Sequence, residues 1–218
     1  MKPFLLRLVA CLFVVVSSSS HAALYDRGNG LIYDDVLDIT WLQDANYAQT
    51  SDWATTNQQG ELHTPDNVQS DGRMSWHQSK IFAEGLIYQN HSNWRLPSIL
   101  DSPNQVGYNI TDGELGYMFY ENLNGSAQET VASNLFSNLI DGPQFWYEET
   151  SPWLSNERWY FNFNNGSQHN GGSRDSRFVW PVHDGDIGAS QVPLPAGIYL
   201  FLSGLVGLVG AKLRGRNA

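Results

Sequence analysis

Cysteine is almost missing from this sequence. One residue, Cys11, is the whole supply in 218 residues. A disulfide framework and a cysteine-based zinc finger are therefore excluded. Positive charge is scarce too: 12 Lys and Arg face 22 Asp and Glu, for a net charge of −10. Phosphate recognition needs a basic face, so nucleic acid is excluded as a partner. Catalytic signatures are missing as well. The chain has no His-Glu-x-x-His, no Gly-x-Ser-x-Gly and no Walker loop. His63, His77, His91, His169 and His183 show no metal-ligand spacing. Glu148 and Glu149 are neighbours, so on a strand they face opposite sides and cannot form a glycosidase pair with each other. Aromatic residues, by contrast, are plentiful. Eight Trp, ten Tyr and ten Phe suffice for a buried core and exclude a disordered chain.

The two ends read as sorting segments. In residues 1–22, Lys2 and Arg7 precede the apolar run Leu8 to Val16, and Ser20-His21-Ala22 puts small residues at −3 and −1 of a cleavage site. That is the pattern of a secretory signal cut after Ala22. The apolar run is too short for a membrane helix. Leu8-Val9-Ala10-Cys11 has the outline of a lipoprotein box, but the run continues past Cys11, where such a box would end it. Cleavage after Ala22 removes Cys11 and excludes thiol chemistry from the exported chain. At the other end, Val192-Pro193-Leu194-Pro195-Ala196 opens an apolar run to Ala211, followed by Lys212, Arg214 and Arg216. The run would make about 24 Å of helix. The basic end is expected to stay cytoplasmic, which puts the domain outside.

Between the ends, residues 23–191 hold all 22 acids and seven cations, a net charge of −15. One domain of this length buries a substantial core. Leu24-Tyr25-Asp26 and Leu31-Ile32-Tyr33 flank an Asn29-Gly30 hairpin turn, and Ile39 to Leu42 is a third strand. Residues 45–73 are polar and read as loop. Ser75 and Gln78 have capping-box spacing and open a helix carrying Trp76, Phe82, Ala83 and Leu86. Thr111 and Glu114 repeat that spacing before Leu115, Met118, Phe119 and Leu123. Leu135, Phe136, Leu139 and Ile140 suggest a further brief helix. Phe145-Trp146-Tyr147, Trp153-Leu154, Arg158 to Phe161 and Arg177 to Trp180 read as aromatic strands, with residues 162–174 as a Gly-rich loop. The expected class is α+β, with short antiparallel aromatic strands, hairpins and two or three helices, plus a hydrophobic helix at the C-terminus.

Several blocks resemble known families. The motif, apolar helix and basic end, in that order, resemble a PEP-CTERM sorting signal. That resemblance implies Sec export, a transient inner-membrane anchor, cutting by an exosortase, and delivery to the cell surface or an exopolysaccharide matrix. A plain membrane anchor is the rival reading of the same tail. Asp26 to Asp34, Ile39 to Tyr47, Asp71 to Trp76, Trp94-Arg95-Leu96-Pro97-Ser98, Trp159 to Phe163, Val179 to Val182 and Asp184-Gly185-Asp186 resemble the Lcl C-terminal-domain family. This is a domain of unknown function in secreted bacterial proteins, and the likeness covers most of 23–186. It implies a C-type-lectin-like fold, followed by a linker and sorting motif over 187–195 and the helix and basic tail over 196–218. Its formylglycine-generating kin need active-site cysteines, which the exported chain lacks. Calcium-dependent sugar binders carry Glu-Pro-Asn or Gln-Pro-Asp with Trp-Asn-Asp. The nearest string here, Ser102-Pro103-Asn104, lacks the carboxylate.

No cofactor is implied. A structural calcium ion at Asn67, Gln69 and Asp71, or at Asp34, Asp35 and Asp38, is the one metal that the acidity leaves open. Trp94, Trp159 and Trp180 fall in the family motifs and are expected in the core, and Arg95 is expected to be a structural arginine paired with a carboxylate. Tyr147, Trp153 and Tyr160, with Asn162 and Asp175 as polar neighbours, are then the expected ligand surface. The resulting expectation is a non-catalytic surface or biofilm-matrix protein that binds polysaccharide or protein. A secreted glycan-acting hydrolase and a purely structural matrix component are the alternatives.

Overall fold

The computed structural model describes residues 23–99, 105–139 and 143–188. The signal segment with Ala22, the Ser102-Pro103-Asn104 string, Ile140, and the tail with Val192, Pro193, Leu194, Pro195 and Ala196 lie outside the described residues.

The chain begins with β1 (Leu24–Gly28), β2 (Leu31–Asp34) and β3 (Ile39–Leu42), paired antiparallel in that order. Asn29 and Gly30 take φ of 54° and 78°. Two positive φ values in a two-residue turn give the twist that a hairpin needs. A side chain at Gly30 would also strike the Tyr88 ring, whose hydroxyl donates to Asn29 O at 2.9 Å. The polar stretch that read as loop contains two single-turn helices, α1 (Tyr47–Thr50) and α2 (Trp53–Thr56). Each has a fully buried alanine, Ala48 or Ala54, and that packing overrides the polar composition.

Helix α3 (Trp76–Gly85) starts where the capping pattern predicts, with Ser75 Oγ accepting from Gln78 N at 3.3 Å. Helix α4 (Glu114–Tyr117) is only one turn long and widens into a π-turn over Met118–Asn122. The expected capping box at Thr111 does not form. Gly113 is the N-cap, and the Glu114 carboxylate turns to Arg95 and to the Ser98 amide instead. No helix forms over the described part of the Leu135 to Ile140 segment. Its amides are taken elsewhere: Ser137 N donates to Gln43 O, Ala45 N donates to Ser137 O, and Ser133 Oγ accepts from Leu135 N and Phe136 N.

A second antiparallel sheet follows, with β4 (Gln144–Thr150), β5 (Glu157–Asn162) and β6 (Ser167–Gly172) in sequence order. Three expectations change here. Arg177 to Trp180 makes only single bridges, Arg177 with Met74 and Phe178 with Phe145, and no strand. Trp153-Leu154 is the turn between β4 and β5 rather than a strand. The Gly-rich stretch 162–174 contains strand β6, which pairs residue by residue with β5. Backbone pairing supplies what its Gly and Asn side chains do not. Finally β7 (Val182–Asp184) returns to the first sheet, beside β3. The result is a mixed α+β fold of two antiparallel sheets with few helices. Among the described residues no helix is long and apolar enough to cross a membrane.

The second sheet is buried on both faces near β4. Phe145, Tyr147, Trp159 and Phe161 join the main core with Trp41, Trp94 and Trp180. Trp146 points the other way, into a smaller core with Met74, Phe82, Ala83 and Val179 under α3. Three of the buried indoles are tied to carbonyls: Trp180 Nε1 donates to Leu42 O, Trp146 Nε1 to Met74 O and Trp94 Nε1 to His91 O, at 2.8, 2.9 and 3.0 Å.

Asp34 sits at the junction of β2 and the π-turn. It is fully buried and accepts from Val36 N, Leu37 N and Asn122 Nδ2, with no cation partner among the described residues. Burial pushes its carboxyl upward against the opposing pull of those donors. A carboxyl raised in the folded state stabilises the fold below its unfolded pKa, and that contribution is lost as pH rises through the folded value. Asp34→Asn keeps an acceptor and removes the titration. The stability of the natural chain relative to this variant should fall as pH rises above about 4, the unfolded value. Thermal melts across that range check it, and a constant difference would contradict it.

Candidate functional site

The five residues expected to form a ligand surface do not come together. Tyr147 on β4 is fully buried. Its hydroxyl accepts from Gly116 N at 3.1 Å and its carbonyl from Trp76 Nε1 at 2.8 Å. Burial holds its phenol well above the ordinary range. Tyr160 points to the other side of the sheet, opposite Trp146. The Arg177 guanidinium lies 3.8 Å from the Tyr160 ring centroid and 4.5 Å from that of Trp146. Asp175 is the counter-ion of that arginine, at 3.0 Å. Asn162 closes its own turn by accepting from Asn164 N at 2.9 Å. Trp153, on the β4–β5 turn, is the one fully exposed member at 51%, leaning on Trp159 at 5.3 Å between rings, while Tyr160, Asn162 and Asp175 are half-buried. The expectation fails at Tyr147, which is completely buried; at Tyr160, which is half-buried, the Arg177 guanidinium occupies the ring face.

The expected core assignments hold. Trp94, Trp159 and Trp180 are buried. Arg95 is paired as expected, making a fork to Glu114 at 2.8 and 2.9 Å and reaching Asp184 at 2.6 Å. Glu148 binds Lys80, while Glu149 accepts from Ser98 Oγ and Ile99 N, so these neighbours serve separate contacts. The acidic turns use their oxygens internally. Asp38 accepts from Tyr33 Oη at 2.9 Å, Asp35 from Ala23 N at 3.0 Å, and Asp71 from Arg73 N at 3.0 Å. Among the described residues no three His, Asp or Glu lie close enough together to hold a metal ion.

An aromatic cleft lies elsewhere, where sequence reasoning saw polar loop. It has a volume of about 350 Å³ and is walled by Tyr47 of α1, Trp53 of α2, and Phe82 and Leu86 at the end of α3. Trp53 packs on Phe82 at 5.0 Å between ring centroids, and Tyr47 meets Tyr88 edge-on at 5.1 Å. Ile87, 73% exposed, forms part of the rim. Ser51, Asp52, Thr56 and Asn57 supply the polar side. Aromatic walls with a few polar groups are the usual make-up of a small-molecule site. A second hollow of about 270 Å³, at Asn156, Gly172, Ser173 and Arg174, has no aromatic wall.

Local structure explains the cleft. Asp52 joins the two single-turn helices at φ 62°, in the left-handed region. Its amide donates to Gln49 O, and its carbonyl accepts from Thr56 N and Thr55 Oγ1. The chain reverses there and sets Tyr47 and Trp53 on one opening. A faint signal was present in the sequence: Tyr47-Ala48 and Trp53-Ala54 are two aromatic–alanine pairs six residues apart. Each alanine is buried and each aromatic is left half-exposed.

No family model, no curated protein and no solved structure matches the chain.

Tyr147→Phe removes the acceptor for the Gly116 amide and should cost about 1–3 kcal/mol. Trp153→Ala, on an exposed turn, should cost under about 1 kcal/mol. Urea unfolding of the two variants checks the order, and a silent Tyr147→Phe beside a damaging Trp153→Ala would reverse the assignment.

Proposed function

We propose that this is an exported, non-catalytic surface or matrix protein that binds polysaccharide through the Tyr47–Trp53–Phe82 cleft. The proposal keeps the route read from the two ends: Sec export, a transient inner-membrane anchor, exosortase cutting and delivery to the cell surface or exopolysaccharide matrix. It also keeps a C-type-lectin-like domain of the Lcl C-terminal type as the working fold. In support, the first sheet pairs the returning strand β7 with the N-terminal strands. Arg27 clasps Asp186 beside that edge and stacks on Tyr25 and Tyr33. The described chain stays tied to the first sheet as far as Ile187, whose amide donates to Thr40 Oγ1 at 3.3 Å.

The observation that carries the binding reading is the half-exposed Trp53 indole in a cleft of small-molecule size. Flat aromatic faces stack on the C–H faces of sugar rings, and neighbouring hydroxyls and amides fix orientation. Glycan arrays and pull-down with the producer's own exopolysaccharide test it. Trp53→Ala should weaken binding by at least about tenfold, or roughly 1.4 kcal/mol. Trp53→Phe keeps an aromatic ring against Phe82 and should retain most of the binding. No binding above a denatured control, or binding indifferent to Trp53, would remove the carbohydrate reading of this cleft.

A further inference from the structure

The helix α2 begins with an aspartate that does not cap it. Asp52 occupies the N-cap position, where a carboxylate ordinarily accepts from an amide of the first turn, yet its side chain makes no such bond. The left-handed backbone at φ 62° is the reason, since it takes the side chain out of capping geometry. The carboxylate is solvent-exposed, lines the aromatic cleft and has no hydrogen-bond or ion-pair partner among the described residues. Neither lysine nor arginine lines the cleft. One side of the opening therefore carries a free negative charge, and the other carries the faces of Trp53 and Tyr47.

We infer that this cleft selects a sugar unit bearing a free, protonated amine, with Asp52 as its counter-ion. The inference rests on the reading of the cleft as a saccharide site and narrows it to a class. An ammonium group is attracted by an aromatic face and by a carboxylate at once. Few other sugar substituents gain from both. An N-acetylated unit offers the same ring for stacking but no charge. A uronic acid or sulfated unit would meet Asp52 and a domain at −15 with the same sign of charge. The size fits, since about 350 Å³ lies at the small end of ligand sites. Ser51, Thr56 and Asn57 remain for sugar hydroxyls; the Asn57 amide nitrogen already donates to Trp53 O at 2.8 Å, which leaves its oxygen as acceptor.

The test is calorimetric titration of the full chain with three probes: glucosamine oligomers, their N-acetylated counterparts and oligogalacturonate. The deacetylated oligomer should bind about tenfold more tightly than the acetylated one, as expected for one charge-assisted contact. Asp52→Asn tolerates the left-handed backbone and should bring the two probes to within about twofold, through loss of the amine probe alone. Asp52→Gly, at ease with that φ, repeats the charge removal without backbone strain. Glu129→Gln, an exposed acid that does not line the cleft, should leave the preference unchanged. Equal binding of the acetylated and deacetylated probes overturns the amine selectivity and leaves the saccharide reading standing. Tightest binding by oligogalacturonate overturns the selectivity too. An equal loss from Glu129→Gln would show diffuse attraction to the acidic surface and overturn the assignment to Asp52. If no probe binds, both readings fall.

Discussion

The guanidinium of Arg95 joins three stretches of chain that are far apart in sequence. Two of its nitrogens fork onto Glu114 at the start of α4, and its Nε and Nη2 reach Asp184 on β7 at 2.9 and 2.6 Å. The backbone of the same residue pairs with Val182 in both directions. Glu114 is itself buried and takes the Ser98 amide with its second oxygen. A planar fork suits this task because it holds a carboxylate in two places at once. Glu114 is the member withdrawn from water, and its forked partner is the condition under which such a buried charge is tolerated, while Asp184 stays 77% exposed. The closing strand β7, the turn after Leu96 and the helix α4 are thereby set relative to one another. The start of α4 at Gly113 rather than Thr111 follows in part, since the glutamate that could have completed a capping box is committed elsewhere.

Around that junction the two sheets share a wall of aromatic rings. Trp180 lies between them, 4.8 Å from Trp41 of the first sheet and 5.3 Å from Phe145 of the second. Its indole nitrogen on Leu42 O fixes its orientation. The wall takes up the core-side aromatic face of the second sheet. The aromatic supply is used as structure, and the cleft is built from rings on small helices at the periphery.

The fold was partly legible in the residues. The Asn29-Gly30 hairpin, strand β3 and the Ser75 cap all depend on local rules, and each was read within a residue or two. Arg95 was read as a paired structural arginine, and Trp94, Trp159 and Trp180 as core. Less was legible where distant pairing decides conformation. Strand β6 has few strand-forming side chains and exists through its ladder with β5. The segment before Ile140 has helical spacing, but docks against Gln43 and Ala45 instead. The Thr111 capping box is locally well formed as a pattern, and Arg95 outcompetes it.

The expected ligand residues were the least legible part. Alternation along a strand separates its two faces but does not say what covers each of them. Tyr147 and Tyr160 lie on opposite faces; segments far away in the chain bury the first completely and leave the second half-buried against Arg177. Trp53 sits among polar neighbours, and two buried alanines turn that stretch into helix. By itself, the sequence determined composition, charge, the short turns and caps, and which residues were apolar enough to bury. Only the tertiary structure decided which aromatics stayed open to solvent. Burial belongs to pairs of surfaces, and the second member of each pair lies tens of residues away.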